Sequence, residues 1–321
     1  MKAITRTVYG PAESLSFTEV PMPEVGDTEV LVKVHASSVN PYDWHFVRGE
    51  PYLIRVNAGY RRPKNHDMGI DVAGTVIAVG ANVTRFEAGE HVFGLARGAF
   101  AEYAAANEER LASKPDAMTF ESAASLPCAG NTALIAVRDK GQVGPGMSVL
   151  VNGASGGVGS YAVQIATALG AEVTGVCSTR NVELVKSIGA AEVIDYSRDD
   201  FARRARRYDV VVDTIGNRSL HALRRALKPR GTLVVAGGGS GKWLRPMSLL
   251  LKVVVVSPFV RQQLRGVMAG VTTENLETLS ALVTAGDVAP LIDRTYSLSE
   301  TPAAVGYVEE GHARGKVIIT V

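Results

Sequence analysis

A glycine-rich turn is the stretch of this sequence whose residue types and spacing point most directly to chemistry. Residues 149–159 read VLVNGASGGVG, an A-x-G-x-x-G spacing in which Ala154 stands at the usual first glycine. Glycines let the backbone approach a pyrophosphate closely, and the free amides of a following helix bind its charge. The spacing therefore predicts a dinucleotide site made by consecutive residues, namely Gly153, Ala154, Ser155, Gly156, Gly157, Val158 and Gly159.

The residues after the turn have the apolar periodicity of a helix. An apolar residue recurs every three or four positions until Gly170, and a glycine there is typical of a helix end. Such a helix directs the unpaired amides of its first turn at the phosphate. A purely structural glycine turn is the alternative, but the strand before it and the helix after it favour cofactor binding. The apolar face comprises Val158, Ala162, Ile165, Ala166 and Leu169.

The side chains about 20 residues beyond a dinucleotide turn indicate which nicotinamide cofactor it binds. Here residues 176–181 read VCSTRN, with no acid at the strand end but with Ser178, Thr179 and Arg180. Two hydroxyls and a guanidinium neutralise and hydrogen-bond a 2′-phosphate, so NADPH is favoured. Tyr196, just past the third predicted strand, is expected to stack on or bond the adenosine end. The alternatives are a solvated Arg180 and a Tyr196 that merely lies on the surface.

The elements that must position this turn follow from a change of rhythm near Phe120. Residues 1–120 contain short β-branched runs separated by glycine, proline and asparagine, which is typical of a compact β-rich domain. Beyond them strands alternate with helices, as in a doubly wound parallel sheet. The predicted strands are Ser148–Asn152, Glu172–Cys177, Glu192–Asp195, Asp209–Asp213, Thr232–Ala236 and Val253–Ser257.

The last part of the chain is predicted to return to the first domain. A helix over Asn275–Ala285 precedes Pro290, and a terminal strand covers Lys316–Val321. The predicted fold is therefore α/β, with a Rossmann doubly wound parallel sheet, residues 121–261, inserted in a β-rich domain formed by residues 1–120 plus 262–321.

Charge and composition exclude several classes of partner. The 321 residues carry a net charge of +2 with acids and bases interspersed, which argues against binding to nucleic acid or to a membrane. Cys128 and Cys177 cannot form a disulfide framework and the first residues are polar, so a cytoplasmic protein is expected. The apolar stretch Met247–Val260 is too short to span a bilayer, and we interpret it as buried sheet or a subunit interface.

Four further motifs precede the glycine turn along the chain. They are NPYDW from Asn40, GIDVAGTV from Gly69, GAFAEY from Gly98 and LPCAGNTA from Leu126. Together with the turn they resemble the medium-chain dehydrogenase/reductase superfamily, specifically its zinc-free quinone oxidoreductase branch. The resemblance covers essentially the whole chain. It implies a GroES-like β-rich domain that holds the substrate, a Rossmann domain that holds the nucleotide, a cleft between them, and a homodimer or tetramer.

The same resemblance bears on zinc, because alcohol dehydrogenases of this superfamily hold a catalytic zinc ion with a Cys, a His and a second Cys. Asn40 stands at the first position and Ile70 at the second, so that only Cys128 is left. One thiolate cannot make a site that needs three protein ligands. His66 beside Asp67 offers a further metal hypothesis, but a single histidine in a loop is more often solvated. No metal is predicted.

The resemblance also implies roles for residues far apart in the sequence. Asn40 is expected beside the nicotinamide and the substrate, and Tyr42, His45 and Tyr52 on the loop after it are the candidate proton donors, with water as the alternative. Asp43 and Asp71 are expected to be structural. Further cofactor contacts are expected from Thr132, from Gly237 and Gly238, from Phe259 in the segment Ser257–Phe259, and from Lys316 in the segment Arg314–Lys316, which closes the cleft.

Without a metal, positioning and preorganised dipoles must carry the reaction, which favours an acceptor that already tolerates negative charge. The predicted function is NADPH-dependent, zinc-free hydride transfer to a quinone or other α,β-unsaturated carbonyl. An enoyl or 2-alkenal reductase of the same superfamily is one alternative. A nucleotide-binding scaffold with little turnover is another. Zinc-dependent alcohol oxidation conflicts with Asn40 and Ile70.

Overall fold

The computed structural model describes residues 1–203, 206–238, 245–268 and 270–321, with the backbone alone at 245–247. The strands are β1 (Lys2–Thr5), β2 (Ser16–Glu19), β3 (Glu29–Val39), β4 (Asp71–Val79), β5 (His91–Leu95), β6 (Tyr103–Asn107), β7 (Leu111–Ser113), β8 (Ser148–Asn152), β9 (Glu172–Cys177), β10 (Glu192–Asp195), β11 (Tyr208–Asp213), β12 (Leu227–Val235), β13 (Gln263–Gly266), β14 (Ile292–Ser297) and β15 (Lys316–Thr320). The α-helices are α1 (Pro41–Arg48), α2 (Ile54–Ala58), α3 (Phe120–Ala124), α4 (Asn131–Leu134), α5 (Gly157–Ala168), α6 (Val182–Ser187), α7 (Leu220–Ala226), α8 (Arg245–Val256), α9 (Thr273–Thr284) and α10 (Thr301–Glu309).

The chain divides into two compact units. The first contains Met1–Asn131, Gly270–Ala285 and Ile292–Val321, and the second contains Thr132–Ala269 and Gly286–Leu291. The boundaries expected from the sequence, at residues 121 and 261, are therefore shifted. The second boundary moves because β13 pairs in parallel with β12, so that residues 263–266 continue the sheet of the second unit.

The first unit is built on a mostly antiparallel sheet in the order β14-β15-β3-β4-β5-β7, in which β14 and β15 pair in parallel and β6 also pairs with β3. The terminal strand β15 pairs with β3 from Val317↔Val39 to Thr320↔Ala36, which confirms that the end of the chain returns to the β-rich part. Alternating valines of β3, among them Val30, Val32 and Val34, point into an apolar core that β4 and β5 complete. This sheet fixes the positions from which α1 and the polar site residues project.

The second unit is a parallel sheet in the order β10-β9-β8-β11-β12-β13. Numbered from β8, this is the order 3-2-1-4-5-6 of the doubly wound dinucleotide fold, whose ligand lies where the strand order reverses. That point lies at the carboxyl ends of β8 and β11, the neighbouring strands from which the order runs in opposite directions. The central strands are apolar and fully buried, as parallel strands covered on both faces require.

The sixth predicted strand, Val253–Ser257, is wrong. Residues 245–256 form α8, and the sixth strand is β13, seven residues further on. A continuous run of valines and leucines hides the helical period: Leu249 and Val253 are buried, whereas Leu251 and Val254 are 51% and 71% exposed. The stretch Met247–Val260 is thus a half-exposed helix and turn, not buried sheet. Among the described residues no helix is long and apolar enough to cross a membrane.

Candidate functional site

The glycine-rich turn joins β8 to α5 and has the geometry that its sequence predicts. Gly153 has φ +88°, and a Cβ atom there would lie 2.5 Å from Thr214 Oγ1. A Cβ atom on Gly159 would lie 2.0 Å from the carbonyl oxygen of Gly153, so only glycine lets α5 pack this closely on the turn. Ala154 is tolerated at the first glycine position because its methyl group faces Gly175 of β9, which has no side chain of its own.

Gly156 differs from these two glycines because protein packing does not require it. A Cβ atom on Gly156 would meet only the Gly153 carbonyl oxygen, at an ordinary 3.5 Å. Gly156 is the N-cap of α5 and makes no side-chain cap, so the first amides of the helix are left for another acceptor. Residues 155–158 are partly exposed at this point. The space beside Gly156 and the start of a twelve-residue helix at this point are the features that suit a pyrophosphate.

A polar network occupies the carboxyl ends of β8 and β11, beside the turn. Asn152 donates from Nδ2 to Asp213 Oδ1 at 2.8 Å and to Asn217 Oδ1 at 3.1 Å. The same Asp213 oxygen accepts the amides of Ile215 and Gly216, and burial raises the pKa of this carboxyl group. Asp213 Oδ2 is buried without a hydrogen-bond partner among the described residues. Sequence reasoning missed Asp213, although a strand-end acid at the switch point was a usable signal.

The adenosine end of the predicted site lies after β9. Ser178 is partly exposed, Thr179 and Arg180 are exposed, and Asn181 donates from Nδ2 to Ser155 Oγ at 2.9 Å, which ties this segment to the glycine turn. Tyr196, at the end of the neighbouring strand, has a 56% exposed side chain. The predicted group Ser178, Thr179, Arg180 and Tyr196 thus lies at the ends of two paired strands.

Other predicted cofactor residues of the second unit lie in different places. Gly237 donates its amide to the Asp213 carbonyl oxygen at 3.2 Å, and a Cβ atom on it would meet the Thr214 carbonyl oxygen, so it lies at the same sheet edge as the turn. Gly238 follows it and is exposed. Thr132 is 8% exposed within α4, and Phe259 is 84% exposed in a 3₁₀ turn after α8. The roles of these four residues stay predictions.

In the first unit a buried polar cluster joins residues that are up to 276 positions apart. Lys316 Nζ donates to Asn40 Oδ1 at 2.5 Å and lies 3.6 Å from Asp71 Oδ2. Asn40 Nδ2 donates to that same Asp71 oxygen at 2.8 Å, and Cys128 donates its amide to Asp71 Oδ1 at 3.0 Å. Lys316 and Asn40 are 3% and 2% exposed. We call Asn40, Asp71, Cys128 and Lys316 the buried polar cluster.

Lys316 is the member of this cluster that sequence reasoning described least well. Its ammonium group has a second hydrogen-bond acceptor in the Val39 carbonyl oxygen, at 3.2 Å, while the Asp71 carboxylate is an ion-pair partner at 3.6 Å. These oxygens lie around an ammonium group that has three N–H donors. Its predicted contact with the cofactor stays a prediction, while the structure shows it bonded to Asn40 and near Asp71. The contact was not predictable, because β15 follows β3 by more than 270 residues.

Two of the three candidate proton donors, Tyr42 and His45, lie on a helix, not on a loop as expected. Pro41 begins α1, and Asp43 accepts the Asn40 amide at 2.8 Å, which is the reciprocal half of a capping box. Tyr42 stacks on Phe46 with ring centroids 4.1 Å apart, and burial raises the pKa of its phenol. His45 Nδ1 contacts the Glu50 carbonyl oxygen at 2.7 Å, and burial lowers its pKa. Tyr52 lies beyond the helix, and the Arg55 guanidinium carbon lies over its ring, 4.7 Å from the ring centroid.

The burial of Asp43 was not predicted from its sequence context. It is fully buried, and burial raises the pKa of its carboxyl group to about 7. Its Oδ1 atom has no hydrogen-bond partner among the described residues. Asp43, Arg6, Tyr42 and Gly69 line a cavity of about 120 Å³. A structural role alone, as expected from the resemblance, leaves this unpaired oxygen unexplained.

The three positions that hold zinc in alcohol dehydrogenases do not fit a zinc ion here. Asn40 uses its amide as a donor to Asp71 and its oxygen as an acceptor for an ammonium group. Cys128 is the one thiol among the three positions, and a single thiolate does not make a zinc site. Ile70 has no donor atom. Over the described ranges, no group of three or more His, Cys, Asp or Glu residues is arranged to hold a metal ion.

The second unit has a parallel sheet in the order 3-2-1-4-5-6 with a glycine turn at its switch point, and the rest of the chain forms a separate β-sheet unit. This combination is that of a two-unit dehydrogenase or reductase. Comparison with known proteins gives the family. Residues 26–116 match the alcohol dehydrogenase GroES-like domain, and residues 188–319 match a family described as zinc-binding dehydrogenase. The chain belongs to the medium-chain dehydrogenase/reductase superfamily, in its quinone oxidoreductase branch.

Three similar proteins support this assignment. A chloroplast envelope quinone oxidoreductase homolog of Arabidopsis thaliana is 34% identical, with 99% of this chain and 98% of that protein aligned. A 2-methylene-furan-3-one reductase of Solanum lycopersicum is 32% identical over 99% of this chain and 79% of its own length. A mycobacterial protein solved in complex with NADPH is 28% identical, superposes with a TM-score of 0.85, and both chains are covered completely. The protein is an oxidoreductase that uses a nicotinamide cofactor.

Proposed function

We propose that this protein transfers hydride from NADPH to a quinone or another α,β-unsaturated carbonyl compound without a zinc ion. The observation that carries the proposal is the buried polar cluster. Of the three positions where alcohol dehydrogenases hold zinc, Asn40 is bonded to Lys316 and Asp71 at 2.5 and 2.8 Å, Ile70 has no donor atom, and Cys128 is the one sulfur ligand left. These groups leave no set of three ligands for a Lewis acid.

This chemistry restricts the acceptor. Oxidation of a simple alcohol needs an alkoxide, which a zinc ion normally stabilises. A quinone or an enone delocalises the charge that hydride addition creates, so it needs orientation and a proton more than a metal. The nicotinamide supplies the hydride when the cofactor is bound. The protein holds the pyrophosphate at α5 and supplies dipoles and a proton.

Tyr42 is the proton donor that the structure supports best. Tyr42 is 45% exposed, so a substrate oxygen can reach the phenol, which carries its proton at neutral pH. His45 is less suited, because one ring nitrogen contacts the Glu50 carbonyl oxygen and its lowered pKa keeps the ring neutral. Tyr52 is covered by Arg55.

NADPH is proposed over NADH because of the group at the end of β9. Ser178, Thr179 and Arg180 offer two hydroxyls and a guanidinium at a position where the structure leaves Thr179 and Arg180 exposed. Asn181 bonds Ser155, so this group is fixed relative to the pyrophosphate turn. A 2′-phosphate on the adenosine ribose is the ligand feature that such a group recognises.

A reductase of activated C=C bonds is the second candidate, favoured by the similarity to the 2-methylene-furan-3-one reductase. It shares the cofactor site and the metal-independent chemistry, and it differs in the acceptor alone. A scaffold with little turnover remains the third, and it predicts nucleotide binding without reduction of any acceptor.

We also propose a homodimer in a reducing, cytoplasmic setting. Strand β13 is an open edge of the parallel sheet, and the neighbouring α8 and its following turn expose Leu251, Val254, Val255 and Phe259. A second copy pairing along this edge covers backbone groups and apolar side chains together. Neither Cys128 nor Cys177 forms a disulfide, which suits a reducing compartment. Light scattering of the wild type and of Val254→Asp tests the dimer: a monomeric wild type contradicts it.

The experiment for the function is a turnover assay with a panel of quinones, enones, alkenals, saturated ketones and alcohols, with NADPH and NADH compared in each. We expect NADPH-selective reduction of quinones or enones and no alcohol oxidation. Tyr42→Phe lowers kcat by about 100-fold with little change in KM, whereas His45→Ala does not. Tight NADPH binding with no turnover on any acceptor contradicts the enzyme proposal and supports the scaffold.

A further inference from the structure

A carboxylate lies against the side chains that we assign to the 2′ position of the cofactor. Asp195 is the last residue of β10 and pairs in register with Cys177, the last residue of β9. Its Oδ2 atom accepts a hydrogen bond from Thr179 Oγ1 at 2.6 Å. Its Oδ1 atom accepts two bonds from Ser197, from the amide at 3.0 Å and from the hydroxyl at 2.6 Å. The carboxylate is therefore held in place and is bonded directly to Thr179, a residue of the predicted phosphate site.

Among the described residues, Arg198 is the cation that forms an ion pair with Asp195. Arg198 Nε lies 3.4 Å from Asp195 Oδ2, and the two side chains are 76% and 11% exposed. Hydrogen bonds from Ser197 and Thr179 lower the pKa of Asp195, so it is ionised at neutral pH. A fixed carboxylate and an exposed guanidinium thus stand beside Thr179, the same hydroxyl that we assign to the 2′-phosphate.

We propose that Asp195 and Arg198 set the balance between NADPH and NADH: the Asp195 carboxylate weakens binding of the 2′-phosphate, and the Arg198 guanidinium offsets it. The inference rests on the proposed cofactor site and refines it, because it makes cofactor preference the outcome of three charges instead of Arg180 alone. The Thr179 hydroxyl has one proton and donates it to Asp195, so a 2′-phosphate beside Thr179 competes with this carboxylate for the hydroxyl proton and is repelled by its charge.

Asp195→Asn removes the charge and preserves the local hydrogen bonds. With its oxygen towards Ser197 and its amide group towards Thr179, an asparagine donates to Thr179 Oγ1, which in turn donates to Ser197 Oγ, 3.0 Å away in the structure. Arg198→Gln removes the cation and keeps much of the side-chain length. The two variants therefore change charge with little change in shape.

The other end of the same strand provides a matched control. Glu192 begins β10 and forms an ion pair with Arg207 at 2.6 Å, with side chains 33% and 49% exposed. Glu192→Gln makes the same charge change as Asp195→Asn, on the same strand. Arg207→Gln makes the same charge change as Arg198→Gln, just before β11. Both lie at the end of the parallel sheet opposite to the cofactor. They report any effect of charge removal that is unrelated to the 2′ position.

The test is equilibrium binding of NADPH and NADH, followed by nicotinamide fluorescence, with displacement by 2′,5′-ADP and 5′-AMP. Relative to wild type, Asp195→Asn raises the NADPH-to-NADH affinity ratio about 3- to 10-fold, Arg198→Gln lowers it by a similar factor, and both controls leave it unchanged. The differences shrink at 1 M salt, because exposed charges are screened. Unchanged ratios in both variants overturn the inference. Failure of the wild type to bind either nucleotide overturns the cofactor proposal itself.

Discussion

The glycine turn of the second unit and the buried polar cluster of the first unit are built in opposite ways. The turn consists of consecutive residues, 153–159, that join one strand to one helix. The cluster brings together Asn40, Asp71, Cys128 and Lys316 from four separate segments. The difference teaches that a phosphate site can be local in sequence, whereas a buried charge network depends on the whole β-rich unit being folded.

This contrast makes a prediction: changes in the cluster alter stability, and changes in the turn or at its adenosine end alter nucleotide affinity. The largest effect is expected for Lys316→Met. It leaves Asn40 Oδ1 and Asp71 Oδ2 buried without their ammonium partner, which typically costs about 3–5 kcal/mol of unfolding free energy. Urea unfolding measures it, with the exposed Lys252→Met as the control. A loss below about 1 kcal/mol contradicts the role that we give to Lys316.

A smaller effect, on the order of a few kcal/mol, is expected from Asp43 and depends on pH. Burial raises its pKa to about 7 in the folded protein from 3.8, so the folded state holds a proton that the unfolded state has lost between these values. The free energy of unfolding therefore falls as pH rises from about 4 to about 7. The charged and titratable groups that face Asp43 are Arg6, Tyr42, Asp71, Cys128 and Lys316.

Asp43→Asn isolates this contribution, because the amide oxygen can still accept the Asn40 backbone amide. Denaturant titrations of both proteins at several pH values should show a flatter pH dependence for the variant, whose stability relative to the wild type rises between about pH 4 and pH 7 and is level above that range. If the two curves run parallel, the carboxyl group does not titrate in this range.

Gly156→Ala tests the other side of the contrast. Its φ of −85° suits alanine and its Cβ atom meets no protein atom closer than 3.5 Å, so stability should change by less than about 1 kcal/mol. The methyl group enters the space assigned to the pyrophosphate, so binding of NADPH and of NADH should weaken together, by about tenfold or more. Gly159→Ala is the contrasting variant, because its Cβ atom meets the Gly153 carbonyl oxygen at 2.0 Å and should destabilise the fold.

Arg180→Ala is expected to have the smallest effect and the most selective one. It should weaken NADPH binding by roughly tenfold and spare NADH, because the 2′-phosphate is the only part of the cofactor that we assign to its charge. Fluorescence titration with the two nucleotides measures the ratio. Equal losses for both would mean that Arg180 does not bind the 2′-phosphate.

The sequence predicts the second unit far better than the polar cluster. The bounds of β8, β9 and β10 agree with the predicted strands, since each is a short apolar run between turn residues. The prediction failed at α8, where a run apolar at nearly every position does not distinguish a helix from a strand. At the site, the turn was predictable because its constraints are local. The Lys316–Asn40 bond depends on the pairing of β15 with β3, and the Asp195–Thr179 bond on the register of β10 with β9, which no local pattern contains.

We propose that hydride transfer needs no zinc ion, because Asn40, at one of the three positions that would hold the metal, is bonded to Lys316 and Asp71 instead. The most direct test of this proposal is quinone or enone reduction by protein dialysed against a strong chelator, with metal content measured by mass spectrometry and zinc added back to one sample. We predict the same kcat before and after chelation and no gain on adding zinc. Activity that is lost with the chelator and restored by zinc would contradict the account.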